Sequence, residues 1–250
     1  LSVTDQILAG KEALARRYKA KKFIAYFQAH TNTYAPTEKL KILYDEALAI
    51  DDVVGLAIGT RPDCVEESTL SLLQEYARRR MIWLEYGVQS AVDKTLTRLN
   101  RGHDFACAQK TIRNTQNRGI NICAHVILGL PGETPADMVH TARMLAELGI
   151  DGVKLHLLYV VRGTALETMY RQKEFQCLEQ NEYVDRVCDF LEHLPPDVII
   201  QRLTGDPHTD ELVAPRWALE KQATLTAIND ALAARNTCQG KRWEKQKGAS

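Results

Sequence analysis

Ile120-Asn121-Ile122-Cys123-Ala124-His125-Val126-Ile127-Leu128, running into Gly129-Leu130-Pro131-Gly132-Glu133, is the stretch that decides the fold. An apolar run interrupted only by Asn121 and His125 fits a strand buried on both faces of a parallel sheet. The Gly and Pro that follow mark a tight turn. Residues 135–148 then place Met138, Ala142, Leu145 and Leu148 on one helical face, with Thr134 as N-cap and Asp137 three residues on. Gly149 stops that helix, and Val153-Lys154-Leu155-His156-Leu157-Leu158-Tyr159-Val160 reads as the next strand. Strand, turn, helix, strand is one parallel βαβ unit.

Outward from this unit the pattern repeats. Upstream strands are expected at Phe23–Phe27, Val53–Ile58 and Met81–Leu84, and a downstream one at Asp197–Ile200. Helical spacing is read over residues 37–50, 66–79 and 105–117, and Gly119 is placed to stop the last of these. A repeat of roughly thirty residues matches one βα unit. The succession predicts an α/β barrel or partial barrel, because no edge strand is conspicuously charged; an open doubly wound sheet is the alternative. Residues 215–235 read as one long amphipathic helix, and the polar, basic tail after Asn236 as mobile. The expected division is 1–195 for the partial barrel and 196–250 for a C-terminal extension.

Composition narrows the function classes. Lysine plus arginine and aspartate plus glutamate both number 32, so net charge does not announce a nucleic-acid binder. No apolar run approaches a membrane span and no signal peptide is visible. Cys64, Cys107, Cys123, Cys177, Cys188 and Cys238 are scattered, with no CxxC spacing, so no metal ligands are assigned within the chain. Reduced thiols point to cytoplasm. The chain opens on Leu1 rather than Met, which points to residues upstream.

Chemistry concentrates where strands end, the rim that carries the site in parallel barrels. Gln28 and Thr31-Asn32-Thr33 follow the first strand, and Gly59-Thr60-Arg61-Pro62-Asp63 ends the second. Glu85-Tyr86-Gly87-Val88-Gln89-Ser90 ends the third; His125 lies in the fourth, which ends in Gly129-Leu130-Pro131-Gly132-Glu133. Each has a plain structural reading: Arg61 with Asp63 as a local ion pair, His125 as a core histidine, Gly129–Gly132 as a turn only.

Together, Gly59–Asp63, Gly87–Ser90, Asn100-Arg101-Gly102-His103 and Ile127–Glu133 resemble the radical S-adenosylmethionine (SAM) superfamily, in the branch of coproporphyrinogen dehydrogenase and the elongator catalytic subunit. Tyr26-Phe27-Gln28, Thr31-Asn32-Thr33-Tyr34, Arg61–Cys64 and Arg202-Leu203-Thr204-Gly205-Asp206 narrow the likeness to the bacterial YhcC/YtqA-type family. The resemblance covers nearly the whole chain. It implies a partial (β/α)6 TIM-like barrel with a C-terminal helical extension, binding S-adenosyl-L-methionine across the strand ends. It further implies a [4Fe-4S] cluster that reduces SAM to methionine and a 5′-deoxyadenosyl radical able to abstract hydrogen.

Carried over residue by residue, the resemblance assigns cofactor contacts to Gln28, Thr31, Asn32, Thr60, Gln89, Arg101, His125, Gly129, Leu130 and Pro131. Gln89 and Arg101 would meet the methionine part, Arg101 holding its carboxylate; His125 would reach the ribose; Gly129 to Pro131 would lie against adenine. Thr31, Asn32 and Thr33 stand where the superfamily has glycines. The family's cluster cysteines precede the first strand, so the ligands are expected upstream of Leu1, and the chain reads as a fragment lacking the first βα unit; by itself it should do no radical chemistry. The resemblance also implies an electron donor such as flavodoxin or ferredoxin, and a link to tRNA wobble-uridine modification. Lys11, Arg16, Arg17, Lys19, Lys21 and Lys22 are a local basic patch that fits tRNA, or a solvated helix face. Two other readings are a cluster-less SAM-binding scaffold and a non-radical barrel enzyme using His125 or Glu85 as acid or base.

Overall fold

A computed structural model describes residues 2–28 and 30–244. Six strands form one sheet: β1 (Phe23–Phe27), β2 (Val53–Thr60), β3 (Met81–Gln89), β4 (Asn121–Leu128), β5 (Gly152–Leu157) and β7 (Ile199–Arg202), in that order. Pairs β1–β2, β2–β3 and β5–β7 are parallel. A separate two-stranded ribbon joins β6 (Val160–Val161) antiparallel to β8 (Leu212–Ala214). Sequence order equals spatial order, as βα units wound in one direction require. By contact density the chain divides into a first unit, Leu1–Gly87 with Cys107–Cys123, and a second, Val88–Ala106 with Ala124–Ser250.

In the first unit, α1 (Val3–Tyr18), α2 (Thr37–Leu48), α3 (Glu67–Ala77) and most of α5 (Phe105–Thr115) accompany β1 to β3. Helical spacing reads Leu40, Leu43, Tyr44, Ala47 and Leu48 as the apolar face of α2 and Leu70, Leu73, Tyr76 and Ala77 as that of α3; Leu40, Tyr44 and Ala47, and Leu70 and Leu73, are buried, the others half-buried. Fully burying a side chain of this size contributes about 1.5–3 kcal/mol. Tyr86 is fully buried, and its hydroxyl lies 2.7 Å from that of Thr115, so the one polar atom of a core aromatic is satisfied. The basic segment belongs largely to α1, a helix with no buried residue. There Arg16 pairs with Glu12 within one helix face, and Lys11 lies over the Phe23 ring at 5.4 Å.

In the second unit the helix of the central βαβ reading, with its cap and its stop, holds to the residue. Thr134 forms a reciprocal capping box with Asp137, Pro135 opens α6 (Pro135–Leu148), and Gly149 ends it at φ 64°. Leu130-Pro131-Gly132-Glu133 closes a turn with Glu133 N–H donating to the Leu130 carbonyl at 3.1 Å. Gly132 at φ 86° supplies the positive φ that position needs, and Pro131 the fixed φ before it.

Several expectations are corrected. The third strand does not stop at Leu84 but runs to Gln89, and Glu85 is buried in it. The fifth ends at Leu157, and the chain turns before Val160 to build the ribbon. Residues 215–235 are not one helix: a 3-10 turn, Arg216–Leu219, is separated from α9 (Lys221–Ala234) by Glu220 in a non-helical conformation. The break lets the Trp217 indole N–H donate to the Leu178 carbonyl at 3.1 Å. Sequence reading passed over α4 (Asp93–Arg98), α7 (Ala165–Arg171) and α8 (Gln180–Glu192).

The tail up to Glu244 is docked. The Gln239 amide donates to the carbonyls of Pro195 and Val198 at 2.6 and 2.8 Å, and Gly240 N–H to that of Leu191. Arg242 N–H donates to the Glu192 carbonyl, and its Nε meets the buried Glu192 carboxylate at 2.6 Å. The tail's Lys245 and Lys247 lie outside the described residues. As for the division expected at 195, β7 lies beyond it and still hydrogen-bonds into the six-stranded sheet.

Candidate active site at the strand ends

In the first unit, Asn32 fastens the carboxyl ends of β1 and β2. Its side-chain amide donates to the Phe27 carbonyl at 3.1 Å and the Gly59 carbonyl at 2.9 Å, and its backbone N–H also reaches Gly59. The Thr33 and Thr60 hydroxyls meet at 2.5 Å, and Thr33 donates to the Cys64 carbonyl. Asn32 and Thr60 therefore spend these polar groups inside the loop, where they set its shape. Gln28 is exposed and Thr31 half-buried. The Arg61–Asp63 ion pair is local, at 2.6 Å, as its plain reading held.

Glu85 is the residue whose environment sequence misplaced. It is 2% exposed, and it accepts a 2.8 Å hydrogen bond from the Tyr26 hydroxyl. Register explains the reach. Tyr26 pairs with Ala57, and Ala57 with Trp83, so Tyr26, Ala57, Gly59 and Glu85 share a sheet face. The small residues of β2 leave room for Tyr26 to pass over that strand.

In the second unit, Gln89 ends β3 at φ 68°, and Ser90 N–H donates to the Val88 carbonyl at 2.8 Å. A three-residue turn with positive φ at a non-glycine centre is strained, and such strain concentrates at ligand sites. Arg101 follows α4 in a Schellman motif: its N–H donates to the Leu96 carbonyl, Asn100 N–H to that of Thr97, and Asn100 takes φ 52°. These main-chain bonds fix the backbone at Arg101. The rings of His125 and His156 lie 5.3 Å apart, tilted 32°.

Gly129 takes φ 86°. The Leu130 side chain is 2% exposed and packs with Leu158, Val160, Phe175 and Ala214, so only its backbone can meet a ligand. The Pro131 carbonyl accepts from Arg98 at 3.3 Å. Sequence reading did not single out Glu133 as a titrating group, though its place after the Pro-Gly turn was visible. The Ser90 hydroxyl donates to Glu133, and burial raises the pKa of its carboxyl above the ordinary 4.5.

A raised folded-state pKa means the fold takes up a proton that the unfolded chain releases. Glu133 therefore contributes stability below about pH 4.5 that is lost as pH rises through its raised pKa. Thermal melts between about pH 4 and 7 should show this falling slope, and Glu133→Gln should flatten it. An unchanged slope would remove Glu133 as its source.

The donor set suits SAM in type: a guanidinium for a carboxylate, an amide at the Gln89 turn, an imidazole, and exposed backbone at a glycine turn. It does not suit an iron–sulfur cluster. Among the described residues no group of three or more His, Cys, Asp or Glu could hold a metal ion, and none of the six cysteines is in a disulfide.

Residues 3–145 match the model of the Radical SAM superfamily, and residues 150–234 that of the Radical_SAM C-terminal domain. An uncharacterized protein of Methanocaldococcus jannaschii is 48% identical over 225 residues, 89% of this chain and 70% of that protein. The uncharacterized YtqA of Bacillus subtilis is 40% identical over 235 residues, 94% of this chain and 73% of that one. More distantly, a tRNA uridine(34) acetyltransferase of Dehalococcoides mccartyi is 28% identical over 156 residues, 61% of this chain and 33% of that protein. Among solved structures, Elp3 of Methanocaldococcus infernus with an N-terminal deletion superposes at TM-score 0.77 and 17% identity, covering 95% of this chain. The chain spans 59% of that solved protein. This likeness shows the fold, an α/β partial barrel of the kind expected.

Proposed function

Since the chain belongs to the radical SAM superfamily, we propose that it is the SAM-binding core of an enzyme that modifies the wobble uridine of tRNA by hydrogen abstraction. The observation that carries the reading is the strained Gln89 turn at the carboxyl end of β3, followed by Arg101 held in place by its own backbone. Reductive cleavage of bound SAM would supply a carbon radical that abstracts hydrogen. The chain's own residues do the binding: Arg101 takes the methionine carboxylate, Gln89 lies alongside, His125 meets the ribose and the Gly129–Pro131 backbone lies against adenine.

The tRNA assignment draws on the similarity to a tRNA uridine(34) acetyltransferase and on the basic residues of α1. The cluster ligands and the electron donor would come from outside these 250 residues. Among the described residues no helix is long and apolar enough to cross a membrane. A second reading, a SAM-binding module without radical chemistry, is favoured by the dispersed cysteines.

Two measurements test the proposal. Calorimetric titration of the chain with SAM should give one-to-one binding; no binding overturns both readings. Mass spectrometry of nucleosides from bulk tRNA should show a wobble-uridine modification missing when the gene is deleted. An unchanged spectrum ends the tRNA assignment.

A further inference from the structure

Glu133 has no part in the cofactor contacts proposed above, yet it joins the two loops that would make most of them. Both loops belong to the second unit. One follows β3 and carries Ser90 beside the Gln89 turn; the other follows β4 and carries Gly129 to Gly132. The Ser90 hydroxyl donates to the Glu133 carboxylate, and the Thr95 side chain hydrogen-bonds it as well. Ser90 is 1% exposed, and its oxygen also accepts the Val92 N–H at 3.0 Å. One hydroxyl thus fixes the chain after Gln89 and fastens it to Glu133. Two further bonds cross the same seam. Arg98 donates to the Pro131 carbonyl at 3.3 Å, and Ala91 N–H to the Thr141 hydroxyl of α6 at 3.0 Å.

Glu133 is the member of this seam that changes charge. Burial raises the pKa of its carboxyl, while the bonds from Ser90 and Thr95 favour the ionised form. Asp137 faces it from α6 and raises it further. Asp137 is itself held below the ordinary carboxylate range, chiefly by Thr134 and also by His140, so its own charge persists. Arg98 of α4 comes up against Gly132, and its charge is constant. Ionising Glu133 lowers the stability of the fold but strengthens the bonds across the seam, because a charged acceptor binds a hydroxyl more strongly than a neutral one. Stability set against a tightened site is the trade common where a protein binds its ligand.

We propose that Glu133 is a positioning residue whose ionised carboxylate clasps the Gln89 turn to the Gly129–Gly132 turn and so sets the affinity for SAM. The inference rests on the SAM-binding reading above. Glu133 acts through Ser90 and the turn beside it.

Calorimetric titration with SAM beside thermal melts tests the clasp. At pH 7, Glu133→Gln should weaken SAM binding roughly fivefold, and Ser90→Ala by a similar factor. The double variant should lose much less than the product of the two, because they share one bond. Glu133→Gln should melt no lower than wild type at pH 7, whereas loss of a mere fold support would lower affinity and melting temperature together. Wild-type affinity should fall as pH is lowered from about 7 to about 4, and Glu133→Gln should remove that fall. Histidines contribute alike to both chains, so the difference between the profiles reports Glu133. SAM bound equally tightly by Glu133→Gln at pH 7, a pH profile that it leaves unchanged, or a joint loss of affinity and melting temperature overturns the clasp alone. A wild-type chain that binds no SAM overturns the cofactor reading and the clasp with it.

Discussion

Anaerobic reconstitution of the 250-residue chain with iron and sulfide is expected to leave it without a [4Fe-4S] cluster. Ligation needs thiolates brought within one coordination sphere. Cys123 is buried beside Ala57 and Trp83, and Cys188 is buried in α8, both inside packed cores. Burial pushes the Cys177 thiol up to about 11 and raises those of Cys64 and Cys188, which disfavours the form that binds metal. Cys107 is half-buried on α5, and Cys238 lies exposed in the C-terminal tail. Iron and sulfide bound in stoichiometric amount, with the visible absorption of a cluster, would show that these cysteines do assemble. The same experiment on a longer polypeptide carrying closely spaced upstream cysteines should give the cluster.

Replacing Arg101 with alanine should weaken SAM binding while leaving the fold intact. A charge-assisted hydrogen bond contributes about 1.5–3 kcal/mol, so affinity should fall roughly 10- to 150-fold. Arg101→Lys should restore only part of it, because an ammonium cannot present two parallel donors to a carboxylate. The alternative is that the side chain braces the loop at Asn100-Gly102. The bonds ending α4 at Arg101 are made by main-chain N–H groups, and both survive truncation of the side chain. Titration calorimetry beside a thermal melt distinguishes the two: a lowered melting point with an unchanged dissociation constant would end the clamp.

Local signals made the centre of the fold readable. The run Ile120–Leu128, the Pro-Gly turn, the Thr134 cap and the Gly149 stop each act within a few residues, and each appears where the sequence places it. Glu85 was not readable, because a carboxylate in an apolar run looks like a strand end until its partner is known. That partner, Tyr26, lies 59 residues away. The docked tail escaped for the same reason, since Gln239 finds its acceptors 41 and 44 residues upstream. At the candidate site, the positions along the strand ends were legible while side-chain commitments were not. Asn32 and Thr60 have the residue types of ligand contacts, and the structure uses both to tie loops together.

The tail contact bears on where a domain may be cut. The C-terminal family match ends at residue 234, and a truncation drawn there would keep α8 and discard Arg242. Glu192 is 1% exposed and would lose its 2.6 Å counter-charge, with Arg235, the other cation recorded beside it at 4.0 Å, removed as well. Removing the cations that face a buried carboxylate is destabilising, even where the principal partner, Arg242, is itself largely exposed. A boundary inferred from profile similarity would pass through an electrostatic joint, and a shortened chain that precipitates would reflect where it was cut.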